Sequence, residues 1–159
     1  MQLIAAEIMI DDTFMDTFLT DARTQLIWSY QLCINKLDEM VVPYVPAAAG
    51  LFVYVDFSSL LPEQTFEGEK AFATLVQNIG RVVMTPGQSQ KDCKPGMFRL
   101  CYTWVTYDVL KIAMERLSYI VLQIRRHSWQ GIENMDWGDE VIKVSSCYIR
   151  LYSFNDVRK

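Results

Sequence analysis

Apolar residues recur at spacings of four and three along residues 11–40, and this pattern predicts one long helix. Side chains at these spacings stack on a single helix face, and they are Phe14, Phe18, Ala22, Leu26, Tyr30, Cys33 and Leu37. Thr13 and Asp16 have the spacing of a capping box, which marks the start of the helix. Pro43 and Pro46 end it and leave a short extended piece over residues 41–45.

The segment "GLFVYVDF", residues 50–57, predicts a strand. Alternation places Phe52 and Tyr54 on one face, and Leu51, Val53 and Val55 on the other. Both faces are apolar or aromatic, and β-branched residues are frequent. We therefore expect a strand that is covered on both sides.

A second helix is predicted after Pro62. Glu67 and Glu69 lie in its first turn, where carboxylates interact favourably with the helix dipole. Gly80 is the expected C-terminal cap. The predicted buried side of this helix consists of Phe72, Leu75, Val76 and Ile79.

The remaining pattern predicts two strands and a third helix. "RVVMTPG" indicates a short strand, "KPGM" has proline and glycine where a type II turn requires them, and residues 97–102 form the next strand. A third helix is expected over residues 106–124, with an inner face of Leu110, Ala113, Met114, Leu117, Ile120, Val121 and Ile124. The order helix, strand, helix, strand, strand, helix indicates an α/β or α+β domain with helices packed on a small sheet.

One charged residue interrupts the last strand. Phe98, Leu100 and Tyr102 share the face expected to be core, whereas Arg99 points to the opposite face. A guanidinium is costly to bury unless an anion meets it, and its planar fork of donors suits a carboxylate or a phosphate. If this face of the strand binds a ligand, that ligand is expected to be acidic.

Composition narrows the class of protein. The chain has 159 residues, of which 51% are hydrophobic, so one domain with a sizeable core is expected. A net charge of -4 gives no reason to expect nucleic acid or an anionic membrane as a partner. No apolar run reaches the roughly 18 residues of a membrane span, and no basic signal region begins the chain, so we expect a cytoplasmic location. The four cysteines, Cys33, Cys93, Cys101 and Cys147, lack the spacing of a zinc site and are expected to be free thiols.

Other candidate catalytic residues have weaker support. His127 is the single histidine and is expected to lie in a solvated loop. Ser58 and Ser89 lack the glycine elbow of a serine hydrolase. The segment "TPGQSQ" lacks the lysine of a phosphate loop and is expected to be a turn. The chain is therefore not predicted to carry a hydrolase or nucleotide site.

Residues 126–159 differ in character from the rest. "RRHSWQGIENMDWGDE" is polar with two glycines and predicts a loop. "VIKVSSCYIRLYSF" is strand-like without a clean alternation, and the pattern does not place it. We predict a domain over residues 1–125 and a divergent C-terminal tail over residues 126–159.

Four phrases, taken in order, resemble one family. They are "DDTFMDTFLTDARTQLIWSYQLCINKL", "AGLFVYVDFSSLLPEQTFEGE", "PGQSQ" and "KPGMFRLCYTWVTYDVLKIAMERL". The set is similar to the C-terminal small domain of the fold-type-I pyridoxal-phosphate enzymes, in particular the 1-aminocyclopropane-1-carboxylate (ACC) synthases and class I and II aminotransferases. The resemblance covers about residues 1–122. It implies a small sheet packed by helices, with the first phrase as the long helix that links the small and large domains.

The resemblance also implies a role for Arg99. In this family the arginine of the "FR" phrase binds the α-carboxylate of the amino-acid substrate, and the matching residue here is Arg99. The alternative is that Arg99 pairs with an internal carboxylate such as Asp56 or Glu69, or lies on an exposed sheet face.

The cofactor is expected to be held elsewhere. The family attaches pyridoxal phosphate to a Schiff-base lysine in a serine-rich phrase of the large domain. That phrase surrounds none of the lysines of this chain, which are Lys36, Lys70, Lys91, Lys94, Lys111, Lys143 and Lys159. A protein that uses this cofactor must supply the lysine, a partner for the pyridinium nitrogen and a phosphate cup. The resemblance thus implies a chain that is not catalytically competent alone.

Two functions follow as hypotheses. In the first, the chain is the small domain of an ACC synthase-like or aminotransferase-like protein, and it requires the missing large domain or a homologous chain as partner. In the second, it is a freestanding, non-catalytic module that binds a protein or a small carboxylate. Apolar surface uncovered by the missing large domain could also make the chain a homo-oligomer.

Overall fold

The computed structural model describes residues 6, 8–135 and 137. In chain order its elements are helix α1 (Asp12–Glu39), strands β1 (Tyr44–Val45) and β2 (Phe52–Asp56), helix α2 (Phe66–Leu75), strands β3 (Thr85–Pro86) and β4 (Met97–Cys101), and helices α3 (Tyr107–Arg126) and α4 (Trp129–Glu133). Short 3₁₀ turns occupy Ser58–Leu60 and Gly87–Gln90, and a π-helical turn, Val76–Gly80, continues α2. The six predicted elements occur in the predicted order, with β1 and α4 in addition, and the α+β fold class is confirmed.

The four strands form one antiparallel sheet in the order β1-β2-β4-β3. Tyr54 of β2 and Thr85 of β3 lie directly opposite Arg99 on its two sides. Strand β3 is only two residues long, shorter than the "RVVMTPG" segment indicated. The register therefore brings residues from both flanking strands to Arg99.

One face of the sheet is core. Phe98 of β4, Phe72 of α2 and Phe57 are fully buried and lie with ring centroids 5.1–5.7 Å apart. Such aromatic pairs add to the stability that area burial alone gives. Residues of α1, α2 and α3 complete this single cluster. The core prediction for Phe98, Leu100 and Tyr102 is confirmed.

No described helix covers the opposite face of the sheet, although the loop over residues 87–96 lies against part of it. Val53 and Val55 of β2 are buried, whereas Phe52 is 40% exposed and Tyr54 is half-buried. The expectation of a strand covered on both sides was wrong for this part of the chain, because the described helices form only one layer. This open face carries Arg99.

Helix α1 extends beyond the core. Its N-cap is Asp11, whose carboxylate accepts a hydrogen bond from the amide of Phe14 at 3.0 Å, so the capping box at Thr13 and Asp16 was wrong. Cys33 and Leu37 are fully buried, but Phe14 and Phe18 are 48% and 54% exposed. The predicted stripe is therefore buried only in the C-terminal half of the helix. Within the described part of the chain, no helix is long and apolar enough to cross a membrane.

The turn before β4 has the predicted proline and glycine geometry. Gly96 has φ +99°, and a Cβ atom at this position would lie 2.4 Å from the Cα of Ser58. Only glycine fits there, because the conformation and the close approach both exclude a side chain. The cap of α2 differs from expectation, since Arg81 and not Gly80 adopts the left-handed conformation, with φ 55°.

Arg125 connects helices α1 and α3. Its guanidinium donates to the carbonyl of Met40 and, at 3.1 Å, to the carbonyl of Val41, both at the C-terminal end of α1. Val41 adopts the left-handed conformation with φ 51°. A β-branched residue is strained in this region, which costs about 1–2 kcal/mol relative to the right-handed one.

We expect Val41→Gly to stabilise the protein by up to about 1 kcal/mol, because glycine adopts this conformation without strain. Val83→Gly is the matched control. Both valines are 76% exposed, but only Val41 has a positive φ. The control is expected to be neutral or destabilising by up to about 1 kcal/mol. Urea unfolding measures both, and equal losses of stability would contradict the strain at Val41.

Helix α4 corrects the loop predicted after residue 125. Ser128 caps it, with its hydroxyl accepting from the amide of Gly131. Ile132 is fully buried, and the indole of Trp129 donates to the carbonyl of Leu60 at 3.1 Å. A polar segment with one buried residue has no helical periodicity to detect. The strand-like segment "VIKVSSCYIRLYSF" lies outside the described residues, and the division at residue 125 stays a prediction.

Candidate carboxylate-binding site

The open face of the sheet brings one cation together with aromatic and small polar side chains. Alternation along β2 and β4 and the register with β3 place on it Phe52, Tyr54, Asp56, Thr85, Met97, Arg99 and Cys101. Arg99 lies in the middle of the central strand. Its neighbours on both sides belong to strands of the same sheet, and a site built on strands is positioned more precisely than one built on loops.

Arg99 makes two side-chain contacts. Its Cζ lies 4.4 Å from the ring centroid of Phe52, a cation–π distance. Its Nη2 donates to the hydroxyl of Thr85 over 3.5 Å, a long hydrogen bond. Its Nε is buried and has no hydrogen-bond partner among the described residues. The guanidinium therefore has unused capacity as a donor.

Neither of the carboxylates considered as internal partners pairs with Arg99. Asp56 accepts from the amide of Ser58 at 2.8 Å, two residues along the chain. Glu69 is 1% exposed and accepts from the amides of Gln88 and Gly96 at 3.0 and 2.7 Å. Among residues 8–135, no carboxylate lies within ion-pair distance of Arg99. The positive charge of this site is therefore not neutralised by the described part of the chain.

The loop over residues 87–96 borders this site and is braced at several points. The Glu69 carboxylate holds one backbone amide at each end of the loop. The Tyr54 hydroxyl donates to Asp92 at 2.5 Å. Partial burial and this bond raise the pKa of Tyr54 to about 12, and the same bond lowers the pKa of Asp92. The loop is thus fixed beside the strand that carries Arg99.

The other candidate residues do not form a site. His127 is exposed. Cys33, Cys93 and Cys101 form no disulfide among the described residues, and Cys147 lies outside them. Burial raises the pKa of Cys33 to about 12, which makes it an unreactive thiol. No group of three or more potential metal ligands occurs within the described part of the chain.

The described lysines do not fit an attachment site for pyridoxal phosphate. Lys36 pairs with Glu39 at 2.6 Å on α1. Lys70 and Lys111 belong to helices α2 and α3, and Lys91 and Lys94 belong to the loop before β4. None of these five is a strand residue of the open face. Lys143 and Lys159 lie outside the described residues.

Two residues of the site had no assigned role in the sequence. Phe52 was placed on the correct face of its strand but was not connected to Arg99, and Thr85 was only part of a short strand. The signal that joins them is the register of β2 and β3 on β4, and register depends on pairing that alternation does not specify.

Comparisons with known proteins agree with this fold. Residues 1–117 match the family "Aminotransferase class I and II". The chain is 31% identical over 121 residues to the 1-aminocyclopropane-1-carboxylate synthase-like protein 1 of Arabidopsis thaliana. The aligned segment covers 76% of this chain and 25% of that protein. The chain is 30% identical over 120 residues to the 1-aminocyclopropane-1-carboxylate synthase of Nicotiana tabacum, with 76% and 24% covered.

Solved structures show the same fold. The aromatic aminotransferase of Pyrococcus horikoshii superposes with a TM-score of 0.66 at 21% identity, covering 76% of this chain and 31% of that one. The aspartate aminotransferase of Thermus thermophilus, determined with maleate, has a TM-score of 0.62 at 22% identity, with 72% and 28% covered.

The chain spans about a quarter of the length of the two plant relatives. The matched portion includes α1, the whole sheet and the first half of α3. The family match and the shared fold agree, and the chain belongs to the class I and II aminotransferase family, whose members depend on pyridoxal phosphate.

Proposed function

We propose that this chain supplies the carboxylate-binding half of a pyridoxal-phosphate-dependent amino-acid site, in an ACC synthase-like or aminotransferase-like protein. The observation that carries the proposal is Arg99, a half-buried guanidinium on an open sheet face without a carboxylate partner among the described residues. Leaving such a charge unpaired disfavours folding, and the cost is explained if an anionic ligand completes the site.

An amino-acid carboxylate fits this arrangement. A carboxylate is planar and carries one negative charge, so both of its oxygens can accept from adjacent donors of the guanidinium fork. The aspartate aminotransferase of Thermus thermophilus, which shares this fold over part of its length, was determined with maleate, a dicarboxylate. In this proposal Arg99 binds and orients the substrate, and it transfers no proton.

The cofactor would be held by the missing large domain. Pyridoxal phosphate supplies the electron sink for chemistry at the α-carbon, and the described lysines do not fit its attachment. We therefore propose that the chain is not catalytically competent alone. The exposed part of α1, with Phe14, Phe18 and Trp28 each 48–56% exposed, is the surface that a large domain or a homologous chain would cover.

The second candidate is a freestanding module that binds small carboxylates without catalysis. The placement of the described lysines fits both candidates, because none of them lies on the open face with Arg99 and the first candidate places the cofactor lysine on a large domain. Both candidates require the same interaction at Arg99. They differ in whether a large domain joins the chain.

A matched pair of ligands tests the shared requirement. We expect L-alanine to shift the backbone amide signals of β2 and β4 in the ¹⁵N-labelled chain with saturation, and L-alaninamide, which lacks the carboxylate, to leave them unchanged. Equal shifts with both ligands, or none with either, would contradict the proposal.

A separate experiment tests catalytic incompetence. Borohydride reduction of the chain mixed with pyridoxal phosphate should trap no single lysine, and one stoichiometric lysine adduct would refute catalytic incompetence.

A further inference from the structure

The contact between Phe52 and Arg99 lies outside the hydrophobic core. Phe52 belongs to β2 and pairs with Cys101, two residues along β4 from Arg99. Its ring is 40% exposed, yet it lies under the guanidinium carbon at 4.4 Å. A large aromatic side chain at a half-exposed sheet position therefore has one specific polar neighbour.

The guanidinium is held from both flanking strands. Phe52 of β2 contacts it by a cation–π interaction, and Thr85 of β3 accepts a hydrogen bond from its Nη2. An arginine side chain loses considerable rotamer entropy when a ligand fixes it. A side chain that is already fixed loses less on binding, so affinity rises through preorganisation. The Thr85 bond is long, which leaves the Phe52 ring as the stronger of the two restraints.

We propose that Phe52 is a positioning residue that holds the Arg99 guanidinium in place for an incoming carboxylate. The inference rests on the proposed function of Arg99. The N–H donors of a guanidinium lie in its plane, so a carboxylate approaches at the edge of the fork, and the Phe52 ring 4.4 Å from Cζ limits how the side chain can turn away from that approach. This approach selects planar, bidentate ligands over a bare point charge.

Two substitutions separate the effect of the aromatic ring of Phe52 from the effect of a large apolar side chain at this position. Phe52→Leu keeps an apolar side chain but removes the π-system, and Phe52→Tyr keeps the ring. We expect Leu to weaken L-alanine binding about fivefold, which corresponds to about 1 kcal/mol, and Tyr to bind within about twofold of wild type. Trp28→Leu, a half-exposed aromatic on α1, is the control and should bind as wild type.

A second readout examines the arginine without ligand. Protons held over an aromatic ring are shifted upfield, so the Arg99 Nε–H signal should move downfield in the Leu variant and stay in place in the Tyr variant. Unchanged Arg99 signals in the Leu variant, or wild-type affinity in that variant, would overturn the positioning role alone. If the wild-type chain does not bind L-alanine, the proposed function is wrong, and the positioning role of Phe52 is then wrong as well.

Discussion

Replacing Arg99 by glutamine is expected to weaken L-alanine binding by a factor of about 30 or more. Removing one partner of a charge-assisted pair costs about 2 kcal/mol or more, because the remaining carboxylate has lost its charged, two-point contact. The affinity of Arg99→Lys for L-alanine should lie between those of wild type and Arg99→Gln, since lysine keeps the charge but not the fork of donors. Amide chemical shifts during titration give the dissociation constants.

Two further results would identify Arg99 as a ligand-binding residue. Arg126→Gln removes the same charge from an exposed position on α3 and should leave affinity within about twofold, which excludes a general electrostatic effect. Arg99→Gln should also unfold at the same or a higher urea concentration than wild type, because it removes a half-buried charge without an ionic partner in the described chain. A large loss of stability with unchanged affinity would mean that Arg99 is structural.

Replacing Glu69 by alanine is expected to lower the free energy of unfolding by about 3 kcal/mol or more. Its carboxylate accepts from the amides of Gln88 and Gly96, and the side chain is 1% exposed. The buried Gly96 amide left without a partner costs about 1–3 kcal/mol, and loss of the part-buried bond from Gln88 and of the buried side chain adds to this. Glu69→Gln should cost less, about 1–3 kcal/mol, because the amide retains one acceptor but turns a donor toward the second N–H group.

Glu67 provides the matched control for Glu69. It lies in the same first turn of α2 and is exposed, so Glu67→Ala should change stability by about 1 kcal/mol or less, the range of a dipole interaction. Urea unfolding followed by circular dichroism measures both variants. Equal effects would show that Glu69 acts only on the helix dipole and does not brace the loop over residues 87–96.

The difference between Glu67 and Glu69 shows that the sequence pattern does not predict long-range contacts. Both were predicted to interact with the helix dipole, because both lie in the first turn of the same helix. The partners of Glu69 are 19 and 27 residues away along the chain, and only the folded loop brings them within reach. Local patterns predict a residue's own element well, but not contacts that tertiary structure creates.

The two faces of the sheet show where alternation along a strand predicts burial and where it does not. Alternation correctly separated Phe98 and Leu100 from Arg99, because the charged residue marks one face of β4 as different from the buried face. In β2 both faces are apolar or aromatic, so the pattern did not distinguish Val53, which is buried, from Phe52, which is exposed. The exposed aromatic lies beside Arg99, where a requirement other than core packing explains it.

A crystal structure of the chain with L-alanine tests the central claim most directly. We expect the carboxylate of L-alanine to accept from the Arg99 guanidinium at about 2.7–3.0 Å, with Phe52 and Thr85 still in contact with that side chain. The opposite result would be a ligand bound elsewhere, or an Arg99 that contacts only its own chain at saturating L-alanine. Either would show that this arginine does not receive the substrate.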